Sequence, residues 1–318
     1  MTDKQIDRWL RRQFSAIGWV LIGYYLLVNG LTALSMIWEA LRQVREQMEQ
    51  SRFWWTDLDL EAMASNAWGY IVAIAVLFLI LYAWKGSRYW REDILAKEKR
   101  MRAGVFFPVL CMCIGSQMVN SMWVGGLEVL FNMAGKSLLP LLETVSGDTD
   151  SFSMFLYASI LAPIAEELLF RGYILRSLYP YGKKFAVFAS AFLFGLFHGN
   201  LLQTPYAFLM GLLLGWVTVE YSVTWAIALH MFNNLVLADL LTRLTKLLPV
   251  MMGNLVSLVI MGGCLALSGV ILVVKRRQIV DYLHSEWMDR RVLKCFFTNA
   301  GILALIVLML GNILLMLP

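Results

Sequence analysis

Nine apolar runs, most near the ~20 residues that a helix needs to cross a bilayer, alternate with polar or basic segments along the chain. They cover residues 14–38, 67–84, 105–133, 152–174, 184–198, 205–219, 223–240, 253–274 and 296–317. A polar, amphipathic stretch fills 39–66, and basic loops occupy 85–103 and 275–294. The pattern predicts an all-α protein: a polytopic membrane helical bundle of about eight to nine transmembrane helices, with any catalytic site inside the bundle.

Composition supports this reading. The chain has 318 residues, of which 59% are hydrophobic and 15% charged, with a mean hydropathy of +0.66; soluble domains carry about 25% charged residues. The polar N-terminal stretch leads into a long apolar run with no small-residue cleavage site, so the first run is expected to be an anchor and not a removed leader. The net charge of +5 is assigned to loops facing anionic lipid, not to nucleic acid. Four cysteines lie in or beside apolar runs without a C-x-x-C pair, which predicts neither a disulfide framework nor a Cys zinc site. Twenty of the 27 Lys and Arg fall on one side of the nine-span arrangement, six on the other, and Arg171 within a span. The positive-inside rule then puts the N-terminus in the cytoplasm and the C-terminus outside. No internal repeat is evident, which disfavours a secondary transporter.

The fourth run breaks the apolar pattern. It reads A-P-I-A-E-E-L-L-F-R-G-Y-I from Ala162 to Ile174. Ionisable side chains at membrane depth cost at least ~2.5 kcal/mol each, so they point to function. Glu167 and Arg171 are four apart, share a helix face and are expected to pair as structural support. Glu166 sits about 100° around the helix and is left for other work. Pro163 cannot donate to the helix ladder, so the carbonyl of Ser159 should be freed and the helix kinked.

Two of the three histidines also fall in apolar runs. His198 closes F-L-F-G-L-F-H-G-N, with Phe194 one turn earlier; His230 sits in W-A-I-A-L-H-M-F-N-N, with Asn234 one turn later. At ~1.5 Å per residue, Glu166, His230 and Asn234 come out roughly 10–16 Å deep and His198 roughly 20 Å. One layer could hold all four. A carboxylate beside a His can hold and deprotonate water, and a His with an Asn one turn on can aim donors at an oxyanion. Glu166, His198 and His230 could alternatively ligate a catalytic zinc, although H-E-x-x-H is absent. No G-x-S-x-G elbow occurs. Gln117, Asn120 and Glu128 in the third run are expected to make interhelical hydrogen bonds or line a wet cavity. Glu220 and Asp239 are placed at span ends in water, His284 in solvent, and Trp54, Trp55, Trp84, Tyr89 and Trp90 in interface belts.

The motifs E166-E167-L-L-F-R171-G, F194-G-L-F-H198 and H230-M-F-N-N234 resemble, in order, the three signatures of the CPBP family, E-E-x-x-x-R, F-x-x-x-H and H-x-x-x-N. That family includes type II CAAX prenyl endopeptidases and bacteriocin-processing or self-immunity proteins. The resemblance covers roughly Phe152 to Leu240. It implies an intramembrane peptidase in which Glu166 and His198 activate water, His230 and Asn234 form the oxyanion hole, and Glu167 and Arg171 hold the site together. It implies no required cofactor, zinc being the alternative. The expected partners are membrane lipid and a peptide or lipidated peptide, with no nucleic acid. The expected location is a bacterial cell membrane, multi-pass. The chain divides accordingly into N-terminal spans and amphipathic segments (1–151), a CAAX-protease-like catalytic core (152–240) and C-terminal spans (241–318). A non-catalytic immunity or scaffold protein, or an ion pathway, would be the competing functions; the second should spread its charges along a path.

Overall fold

The computed structural model describes residues 2–49, 58–94, 99–146, 151–285 and 288–318. Among them there are helices and no strand. All nine apolar runs are helical. The first lies in α1 (Asp3–Glu49), which continues through the polar stretch after residue 38. A short α2 (Leu60–Ala64) precedes α3 (Trp68–Tyr89). Next come α4 (Ala103–Met133) and a short α5 (Leu139–Ser146). The fourth run forms α6 (Phe152–Tyr181), the seventh α9 (Val223–Lys246) and the eighth α10 (Val250–Val274). Between α6 and α9 lie α7 (Lys183–Phe197) and α8 (Thr204–Glu220). An exposed α11 (Arg276–Ser285) leads to α12 (Arg290–Phe297) and α13 (Ala300–Met316), which meet at a 59° bend.

Six of these helices are long and apolar enough to cross a bilayer, and seven if the α12–α13 pair counts as one span. This falls short of eight to nine for a simple reason: α7 and α8 have 15 and 17 residues. Both are shorter than the ~20 residues typical of a full crossing. They form a tight hairpin in the middle of the bundle. A side chain at Gly211 would collide with Ala191 across it, so these helices approach at backbone distance, as small residues allow in membranes. The flanking spans pack around the hairpin. α1 lies against α3 and α13, and α4 against α10. The lipid-facing sides of the outer helices stay apolar; only about 6% of the apolar windows of α1 and α10 are buried within the bundle.

Two of the spans contain π turns, Tyr157–Leu161 and Leu168–Leu175 in α6 and Phe232–Leu241 in α9, and another, Trp90–Ile94, follows α3. Pro163 does not break α6, which remains one continuous span. Instead, the π turn just before it absorbs the missing donor: Ala162 N–H bonds to Tyr157 O, five residues back. The π register also takes the usual donor from Ala158 O, which finds another partner in Asn234 Nδ2.

Other expectations change in detail. Asp239 is buried, with 6% exposed, and pairs with Arg243 Nε at 3.0 Å instead of facing water. Glu220 is partly buried and pairs with Lys183. Glu128 turns to its own helix end, accepting from Asn132, Ser137 Oγ and Leu138 N. Trp84 is exposed and carries Lys85 over its ring, and Tyr89 donates to Gly172 O. His284 is exposed. The four cysteines are free. Trp54 and Trp55 lie outside the described residues.

Candidate active site

The two adjacent glutamates on α6 have opposite fates. Glu167 and Arg171 are completely buried, with Nη1 of Arg171 3.1 Å from Oε1 of Glu167. Glu166 keeps 29% of its side chain exposed. One helical residue step separates a sealed ion pair from an accessible carboxylate.

His230, on α9, touches both. Its Nδ1 lies 2.9 Å from Oε1 of Glu167, and its Nε2 3.8 Å from Oε2 of Glu166. A carboxylate only accepts, so Nδ1 carries the hydrogen. Nε2, facing Glu166, is then a lone pair in the neutral ring and a donor in the protonated one. Glu167 thus does more than balance Arg171: it also fixes the orientation of His230.

Phe194, on α7, is the hub. The Arg171 guanidinium sits 4.3 Å from its ring centroid, a cation–π contact made strong by desolvation. His198 and His230 both meet the same ring edge-on, at 4.9 and 5.9 Å. Arg171 also reaches the carbonyl of Gly211, Nη2 donating at 3.4 Å. The guanidinium is therefore held between one carboxylate, one aromatic face and one backbone carbonyl.

His198 ends α7. Gly199 follows at φ 63°, a left-handed conformation that favours glycine and stops the helix. His198 Nδ1 donates to Phe194 O at 2.9 Å, which leaves Nε2 as an acceptor in the neutral ring. The backbone after it is clamped from three sides. Asn200 Nδ2 donates to His198 O, Asn312 Nδ2 to Gly199 O, and Trp123 Nε1 to Leu201 O. His198 reaches the cluster through Phe194.

Asn234 lies one turn beyond His230. Its Nδ2 donates to Ala158 O at 3.1 Å and its Oδ1 accepts from Asn233 Nδ2 at 3.1 Å. The π turn in α6 therefore hands a free carbonyl to the very residue the motifs single out. Tyr24 of α1 and Tyr157 of α6 lie within electrostatic reach of Glu166. Tyr24 stacks on Phe197 at 5.7 Å and Tyr157 on Tyr70 at 4.7 Å.

The structure brings Glu166, Glu167, Arg171, Phe194 and His230 into one cluster, with His198 on its aromatic edge and Asn234 on its α6–α9 side. Sequence reading misses Asn233, Tyr206, Tyr24 and Tyr157; the Asn-Asn doublet was the one visible signal. Among the described residues, no three His, Cys, Asp or Glu side chains are grouped so as to hold a metal ion.

No curated protein and no solved structure matches the chain. Residues 148–236 match the family model described as type II CAAX prenyl endopeptidase Rce1-like. That segment runs from just before α6 into α9 and contains all three motifs. The family so described is one of proteases, and the match supports, for this part of the chain, the resemblance to the CPBP family of intramembrane endopeptidases.

Proposed function

We propose that the protein hydrolyses a peptide bond of a membrane-associated substrate, with Glu166 as general base. The observation that carries this reading is the contrast between the glutamates: Glu167 is sealed against Arg171 at 0% exposure, whereas Glu166 is 29% exposed and faces His230. Glu166 takes a proton from water, with His198 Nε2 as the second acceptor. The resulting hydroxide attacks the peptide carbonyl. Nε2 of His230, in the doubly protonated ring, and the Asn234 amide donate to the oxyanion that forms, and the proton held by Glu166 passes to the leaving amine. Glu167, Arg171 and Phe194 position this set.

No metal is required in this scheme. Zinc held by Glu166, His198 and His230 is the alternative; it would polarise the carbonyl or activate water. The substrate class that the family description favours is a lipidated peptide ending in C-a-a-X; a bacteriocin-like peptide is the second candidate. The catalytic core is residues 152–240 in a bacterial cell membrane, with the flanking spans presenting lipid-embedded substrate to it.

The test is cleavage of an internally quenched, farnesylated C-a-a-X peptide by purified protein in lipid. The wild type should release product, and Glu166→Gln should lower turnover by about 10²–10⁴ with unchanged melting. Asn234→Ala should cost about 10²–10³. Elemental analysis and chelation accompany the assay. Full activity without metal is expected, whereas activity lost with the metal and restored by zinc would replace the metal-free scheme. A folded wild type that cleaves neither a lipidated nor an unmodified membrane peptide would instead favour an immunity or scaffold role.

A further inference from the structure

A chain of four side chains runs from the active-site side of α9 to α4 and α8, and its polarity is set at one end by Pro163. Ala158 O loses the α-helical donor Ala162 N–H, which bonds to Tyr157 O, and Pro163 has no N–H to offer. Asn234 Nδ2 supplies the missing donor at 3.1 Å. A carbonyl only accepts, so the Asn234 amide can face it only with its nitrogen.

Every later orientation follows. With Nδ2 committed to Ala158, Oδ1 of Asn234 faces Asn233 and needs a donor, which Asn233 Nδ2 provides at 3.1 Å. Oδ1 of Asn233 then takes two donors: Gln117 Nε2 at 2.7 Å and Tyr206 Oη at 3.0 Å. Asn233 is 4% exposed. Reversing any amide in this chain sets acceptor against acceptor in a buried place, which costs the full desolvation of the unmatched groups. Four helices contribute: α6 the carbonyl, α9 both asparagines, α4 Gln117 and α8 Tyr206. Gln117 lies outside the segment that matches the family model.

We propose that Gln117, Tyr206 and Asn233 are positioning residues that lock the Asn234 amide, so that its second N–H stands ready as an oxyanion donor before substrate arrives. The device rests on the peptidase reading above for its catalytic meaning. Preset donors stabilise developing charge without reorganisation during the reaction. A freely rotating amide would present oxygen to the oxyanion part of the time.

Asn233→Asp isolates the last link. It keeps an acceptor oxygen for Gln117 and Tyr206 and replaces the donor to Asn234 by a carboxylate oxygen. We expect kcat on the farnesylated C-a-a-X peptide to fall about tenfold, the loss of one net hydrogen bond, with KM unchanged. In an Asn234→Ala background the same substitution should cost nothing more, because it acts through Asn234. A second readout needs no activity. Selective ¹⁵N-asparagine labelling should show an exchange-protected Asn234 side-chain NH₂ pair, assigned by its loss in Asn234→Ala. That protection should vanish in Asn233→Asp. If Asn233→Asp does not fold, Gln117→Leu combined with Tyr206→Phe strips both donors from Asn233 and is judged by the same two readouts. An unchanged NH₂ pair overturns the proposal whatever the activity. A lost pair with unchanged kcat, or losses that add in the double variant, overturns its catalytic meaning. A wild type without peptidase activity removes the functional reading, and the relay then stands or falls on the NMR alone.

Discussion

Oε1 of Glu167 lies 2.9 Å from Nδ1 of His230, and the same oxygen is 3.1 Å from Nη1 of Arg171. One buried carboxylate oxygen thus serves a structural cation and a ring at the site. Glu167→Gln should therefore lower both melting temperature and kcat. It leaves Arg171 without a counter-charge and weakens the hold on His230. Turnover at the wild-type level in a folded Glu167→Gln protein would show that His230 needs no such orientation.

Arg171 is held by charge, by the Phe194 face and by Gly211 O. Arg171→Ala strands a fully buried glutamate and should destabilise by about 3–5 kcal/mol. Arg171→Lys should not rescue it, because an ammonium lacks the planar face that stacks on Phe194. Thermal unfolding in detergent measures both. Wild-type melting in either variant would count against the pair.

Phe194 supports Arg171 on its face and meets both histidine rings at near-right angles. Phe194→Leu keeps an apolar filler but loses the ring. Expected are a stability loss of about 1–2 kcal/mol and a larger proportional fall in kcat than in stability-matched variants elsewhere in α7. Comparison with Phe188→Leu, on the same helix and away from the histidines, makes the measurement specific.

Pro163→Ala returns an N–H to α6. The π turn can then relax toward regular α geometry, so that Ala158 O regains a helical partner and Asn234 loses its anchor. Melting temperature should hold or rise, while kcat falls severalfold. This combination, stability kept and turnover lost, separates the π turn from an incidental irregularity; π turns recur at functional sites. Unchanged turnover would make the turn merely a way of accommodating proline.

The Lys and Arg partition predicts a cytoplasmic N-terminus and an exterior C-terminus. Reporter fusions after Pro318 and within the 85–103 loop should report opposite sides. The same side for both would require a different path for the short α7–α8 hairpin.

Much of this was legible from residue order. Apolar runs located all nine segments because burial in lipid needs no long-range information. The i,i+4 spacing of Glu167 and Arg171 gave their pair directly. What sequence could not give was the third dimension between helices. Nothing in the order of residues says that Glu167 reaches His230 sixty-three positions away, or that Gln117 meets Asn233. Spacing rules assume α geometry, so they did not show that Ala158 O would also lose its donor where α6 locally winds wider. Asp239 was placed in water because span ends are read from hydropathy, and α9 runs on to Lys246, so Asp239 stays inside with Arg243 as its partner.

The brevity of α7 bears on how water arrives. Its 15 residues rise about 22 Å, against a hydrocarbon slab of about 30 Å. A helix that ends short leaves its end below the membrane surface. Here α7 ends at Phe197 and is capped by His198, followed at once by the hydrogen-bonded turn of Asn200. Under the peptidase reading, that polar turn is where water would reach His198 and Glu166, while the lipid-soluble part of a substrate would stay in the surrounding slab.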